Sequence, residues 1–213
     1  MNKIKFFSYK MADDVGFSPN PFQGFLTLAN CKPCIRKSKN IGDWIAGFTS
    51  KKLNKDKVGE ERLIYLMKVT NKVTYKEYWN NPEFDCKKPI LHSDFVEDKA
   101  GDNIYKPNAE QSGGFEQIDN KNHFSEDKAH DLSGINVLIS NHFFYFGGKP
   151  ITIPDEIRPN VPRSQSAHGS RTYNEEKIFQ LINYIETKYP MGLINKPLTW
   201  PKDKNCENGS CIK

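Results

Sequence analysis

The strongest pattern of apolar and polar positions runs from Ile41 to Thr74. Trp44–Phe48 is a short apolar run behind a Gly42-Asp43 turn, which predicts a strand entered through a tight bend. Residues 49–61 carry Lys51, Lys52, Lys55 and Lys57 with no apolar period, and read as a solvated hairpin loop. Residues 63–69 are apolar almost throughout, as in a strand covered on both faces. Thr74, followed three positions on by Glu77, is a capping box; it predicts a short helix over Tyr75–Asn80 that stops before Pro82.

Elsewhere the pattern is more broken. Residues 3–9 alternate weakly and suit a first or edge strand. Residues 12–22 form a loop, after which Pro21 and Pro33 fix the backbone around Asn20, Thr27, Lys32 and Arg36. Residues 81–99 are polar and irregular. Gly101-Asp102-Asn103-Ile104-Tyr105 is a compact polar turn, whose side chains either bond their own backbone or line a pocket. Residues 106–134 are the longest stretch without a period; His123, His130 and Asp131 within it are candidate metal ligands or acid–base groups, but their spacing matches no ligand pattern and the two histidines read as surface residues. Residues 137–148 predict two strands or a bulged one. Period two there sets Phe143 and Tyr145 against Phe144 and Phe146, so one pair is core and the other needs a cover. After a proline-rich arm, Thr172 and Glu175 form a second capping box. The helix Glu175–Lys188 then shows Ile178, Phe179, Leu181, Ile182 and Ile185 at an amphipathic period.

Charge adds a bias. Lysine and arginine number 31 against 26 acidic residues, a net +5, and basic residues flank the strand at Trp44 on both sides. This suits a polyanion partner without requiring one. Lys32, Arg36, Lys37 and Lys39 on one side and the loop lysines on the other would form a basic rim. His168 and Arg171 precede a helix N-terminus, where an anion is favoured. The five cysteines are odd in number and read as free thiols. Pairing Cys31 and Cys34 with Cys206 and Cys211 in a zinc site is the weaker alternative. No membrane span and no secretory signal is legible, so the expected compartment is cytoplasmic. The chain carries no hydrolase elbow, Walker loop, dinucleotide fingerprint or His-Glu-x-x-His, and no cofactor or metal is expected.

Two resemblances extend this reading. The unit from Ile41 to Thr74 resembles the core of PUA-like domains, the superfamily of EVE and ASCH domains. The blocks Pro-Asn-Pro-Phe-x-Gly from Pro19, Thr-Leu-Ala-x-Cys-Lys-Pro-x-Ile-Arg from Thr27, Gly-Asp-Trp-Ile from Gly42, Glu-Tyr-Trp-x-x-Pro-x-Phe from Glu77 and Gly-Asp-Asn-Ile-Tyr from Gly101, continued by 137–148, resemble the bacterial family called nucleotide-modification-associated domain, second type. That resemblance implies a link to DNA base modification and assigns no catalytic residue; Cys34 departs from its pattern. The expected fold is therefore α+β: a small mixed or antiparallel PUA-like β-barrel over 1–197, with short helices, a C-terminal amphipathic helix and a flexible tail over 198–213. The expected function is binding of a modified or flipped base of DNA or RNA, in a base-modification or phage-conflict system. The alternatives are an enzyme acting on a nucleotide or base, and a protein-interaction module. Asn20, Lys32, Arg36, Asp102, Asn103, Tyr105, His168 and Arg171 are the expected ligand-binding residues. Arg36 or Lys32 would meet a phosphate, and Asp102 and Asn103 a base edge.

Overall fold

A computed structural model describes residues 4–199 except 165 and 167. Trp200, Cys206 and Cys211 lie outside the described residues. The chain begins with β1 (Phe6–Lys10) and β2 (Leu26–Leu28), then α1 (Pro33–Ser38), β3 (Trp44–Phe48), α2 (Lys51–Asn54) and β4 (Leu63–Lys68). β5 (Asn71–Thr74) runs directly into α3 (Tyr75–Asn80), and α4 (Val96–Lys99) precedes a hairpin of β6 (Tyr105–Pro107) and β7 (Phe115–Gln117). α5 (Lys128–Leu132) leads into β8 (Asn136–Ser140), β9 (His142–Tyr145), β10 (Ser170–Thr172), α6 (Glu175–Lys188) and β11 (Gly192–Leu193).

The larger sheet has the order β10-β1-β3-β4-β9-β11. Its β1–β3 and β9–β11 pairs are parallel and the others antiparallel. Among the described residues β10 and β11 are its two edges and do not pair, so the sheet is open and mixed. The barrel expected from the PUA-like pattern does not form. β1 is the first strand, as expected, but lies inside the sheet between β10 and β3 and not at an edge. A second, antiparallel sheet has the order β2-β8-β5.

Side-chain parity builds the layers. Phe144 and Phe146 point to the core that α6 covers with Ile178, Leu181, Ile182 and Ile185. Phe143 and Tyr145 point the other way, into a core shared with Leu26, Leu28 and Leu138 of the small sheet. Both aromatic pairs are therefore core, because the large sheet is covered on both faces. On β8 the same alternation turns Val137 and Ile139 outward to a third core with Tyr75, Tyr78, Phe84 and Tyr105. The layers run from α6 through the large sheet and the small sheet to α3 and the β6–β7 hairpin.

Local chemistry accounts for the helix ends. At α3 the Thr74 hydroxyl accepts from Glu77 N, and the Glu77 carboxylate accepts from Thr74 N at 2.7 Å. Thr74→Ala should cost about 1 kcal/mol, seen as a lower urea midpoint at unchanged m-value. At α6 the cap is Asn174, whose side chain accepts from Lys177 N. Thr172 does not cap, because β10 holds it beside β1 and its hydroxyl accepts from Asn160 N instead. The loop over 49–61 contains α2, capped by Ser50.

Candidate functional site

Cys31 and Lys32 join β2 to α1. Both have left-handed backbone, with φ of 54° and 41°, and Pro33 then starts α1. Such conformations in non-glycine residues cost energy and persist where surrounding contacts hold them. Here the contacts are specific. Asp131 Oδ1 accepts from Cys31 N at 2.6 Å, and Arg36 Nε donates to Cys31 O at 2.7 Å.

Asp131 lies on α5 and is fully buried. Its Oδ2 accepts from Tyr105 OH at 2.8 Å and from His123 Nδ1 at 2.7 Å. The other ring nitrogen of His123, Nε2, lies 3.2 Å from Cys31 Sγ. A thiol, an imidazole and a carboxylate thus stand in line. His123 is pinned by its backbone: its N–H donates to Asn120 Oδ1, and its carbonyl accepts from Asn120 and Gln117. The Phe17 ring packs on the imidazole, with centroids 4.8 Å apart.

Burial works against a charged imidazole, but the hydrogen bonds and charges of Asp131 and Cys31 outweigh it and raise the His123 pKa from 6.5 to about 10. Between those values the folded chain holds a proton that the unfolded chain has lost. The resulting stability is complete below pH 6.5 and disappears as pH rises through about 10. Melting temperature should therefore fall across this window, and His123→Gln should flatten the fall.

Cys31 and His123 open on a cavity of about 320 Å³ walled by Tyr9, Met11 and Phe17, with Lys32, Asn122 and Asp13 around it. Larger hollows of about 540 and 670 Å³ are lined by no cysteine or histidine, and one of about 550 Å³ is lined by His123 but by no cysteine. The Lys32 ammonium lies over the Tyr9 ring, 5.2 Å from its centroid. Burial lowers its pKa, with Cys31 opposing. Lys52 of α2 reaches the cavity rim and pairs with Asp13 at 3.2 Å, so part of the lysine-rich loop borders this opening.

Of the residues singled out in the sequence, Lys32 lines the cavity. Asn20, Arg36, Asp102, Asn103 and Tyr105 are buried, with polar atoms engaged by protein. Arg36 donates to the carbonyls of Cys31, Asn136 and Asp131. The Asp102 carboxylate accepts from Thr27 Oγ1 and Tyr78 OH at 2.6 and 2.8 Å. Asn20 Oδ1 accepts from the buried ammonium of Lys87 at 2.7 Å, and Asn103 Nδ2 donates to Tyr78 O. Tyr105 packs edge-on against Tyr75. The structure therefore joins Arg36 and Tyr105 at Asp131, and sets Asn20, Asp102 and Asn103 in the neighbouring scaffold. His168 is exposed, and Arg171 lies on the β10 edge, over the Tyr173 ring.

The family described as nucleotide modification associated domain 2 matches residues 3–204. The chain belongs to this family. No curated protein and no solved structure matches it. Membership in nucleotide modification associated domain 2 ties the chain to nucleotide-modification systems. Among the described residues no helix is long and apolar enough to cross a membrane.

His123, expected at the surface, is instead the middle of the triad in this family member; His130 is exposed as expected. The signal available in sequence was a cysteine ahead of a proline-started helix, with histidine and aspartate elsewhere in the chain. Sγ of Cys31, a ring nitrogen of His123 and a carboxylate oxygen of Asp131 lie within 4.8 Å of one another, close enough to hold a metal ion. The hydrogen bonds favour a different use. Asp131 is occupied by Cys31 N, Tyr105 and His123, which leaves Sγ and Nε2 as the pair facing the cavity.

Proposed function

We propose that the chain is a thiol-dependent enzyme of nucleotide modification: the cavity takes up a base or nucleotide and Cys31 attacks it. The observation that carries this is the continuous Asp131–His123–Cys31 hydrogen-bonded chain ending at the cavity. Asp131 fixes the ring by accepting from Nδ1 and, with the His123 pKa raised to about 10, holds it near neutral pH as an imidazolium whose Nε2–H faces the sulfur and stabilises negative charge there. The aromatic walls at Tyr9 and Phe17 suit a planar ring, and Lys32 and Lys121 suit an anionic group. Base binding, the reading drawn from the sequence, enters here as the step before chemistry.

Alkylation tests it. With iodoacetamide near neutral pH, peptide mapping should find Cys31 modified ahead of Cys34 and Cys86. His123→Ala should slow that modification by roughly 10²-fold, and a bound mononucleotide should protect Cys31. Reaction of Cys31 no faster than the exposed Cys86, or absence of protection by any nucleotide, would overturn the proposal.

A further inference from the structure

Resting on the thiol-enzyme reading, we infer that the base attacked is a pyrimidine, and that Cys31 adds to its C6 by conjugate addition. Two features of the site choose this over attack on an acyl carbonyl. An acyl group would place negative charge on an oxygen one bond from the attacked carbon, where backbone N–H donors are needed. The Cys31 N–H is already donated to Asp131 Oδ1 at 2.6 Å, and Pro33 has no N–H to offer. Two of the amides nearest the sulfur are thus unavailable to an oxyanion.

Conjugate addition moves the charge away from the sulfur. The S–C6 bond forms, the C5=C6 π pair shifts toward C4, and negative charge collects on O4, or on N4 of cytosine. Lys32 supplies the matching cation. Among the described residues its ammonium pairs with no carboxylate. It lies over the Tyr9 ring inside the cavity, where burial makes an anionic partner favourable. The His123 imidazolium delivers a proton to C5 and is left neutral. Loss of the original C5 proton to water on the other face of the ring, with His123 re-protonated from solvent, re-forms the double bond and expels the thiolate. No oxidant, reductant or co-reactant is consumed. The walls at Tyr9, Met11 and Phe17 leave a slot for one ring.

The reaction has a readout that needs no knowledge of the final modification: exchange of the pyrimidine C5–H with solvent. dUMP, dCMP and a single-stranded oligonucleotide containing both bases are each incubated with the protein in D₂O and followed by proton NMR. The expected result is loss of the C5–H signal and collapse of the C6–H doublet with wild type, and no exchange with Cys31→Ser. Lys32→Gln should slow exchange while iodoacetamide still modifies Cys31 selectively, which also controls for folding. Exchange in the mononucleotides identifies a free nucleotide as the source of the base; exchange confined to the oligonucleotide identifies a polynucleotide. Both support the inference. Absence of exchange in all three, with Cys31 still alkylated first and protected by nucleotide, overturns the pyrimidine assignment and leaves the thiol enzyme standing. Absence of exchange together with slow, unprotected alkylation overturns both.

Discussion

Arg36→Met should destabilise the protein by about 2–4 kcal/mol: roughly 1–3 kcal/mol attaches to a buried carbonyl left without its donor, and of the three that Arg36 serves Asp131 O keeps Tyr75 OH and Gly134 N. Arg36 is fully buried and bonds three backbone carbonyls, Cys31 O, Asn136 O and Asp131 O, at 2.5 to 2.8 Å. Methionine fills much of the space but replaces no donor. A chain with ordinary stability of about 5–15 kcal/mol would lose a large part of it. Gly134 is part of the same fitting: a Cβ there would stand 2.5 Å from the guanidinium carbon. Equilibrium urea unfolding measures the loss. A change below about 1 kcal/mol would mean that water replaces the guanidinium without difficulty.

Asp131→Asn should have the largest effect on reactivity. The present carboxylate can only accept from His123 Nδ1, and its charge helps hold the ring as the imidazolium whose Nε2–H stabilises negative charge on the sulfur. An asparagine amide turned toward the ring donates instead, moving the ring proton to Nε2. The imidazole then presents N–H to Cys31 without a positive charge, and the sulfur loses its counter-ion. Alkylation of Cys31 should slow roughly 10²–10⁴-fold. Asparagine retains an oxygen for Cys31 N, so circular dichroism should remain that of the folded chain. An unchanged alkylation rate would reduce Asp131 to a structural anchor.

The parts of this fold legible in sequence were those governed by neighbours in the chain. Thr74 and Glu77 are three residues apart, and α6 shows its apolar face in fourteen consecutive residues. Phe143 to Phe146 required opposed faces by period alone, though not that both would be core. Sheet order was less accessible. The parallel pairing of β1 with β3, and the open edges at β10 and β11, depend on contacts between distant segments. The site was hidden for the same reason, since Cys31 and His123 lie 92 positions apart. Polar residues such as Arg36 and Asp102 looked available to a ligand because nothing local satisfied them. Their partners are contributed by other segments. Lys32 stands out because the fold leaves its ammonium at the cavity.

None of the three residues Cys31, His123 and Asp131 stands on the large sheet, whereas Tyr9, which also lines the cavity, belongs to β1. A local excursion of 118–132 would therefore separate base from nucleophile without exposing the cores around β3 and β4. Amide exchange should be faster through 118–132 than along β3 and β4, and a nucleotide bridging the two walls should slow it. Occupancy of the cavity would then itself complete the site, and an empty chain would spend part of its time with its thiol disarmed.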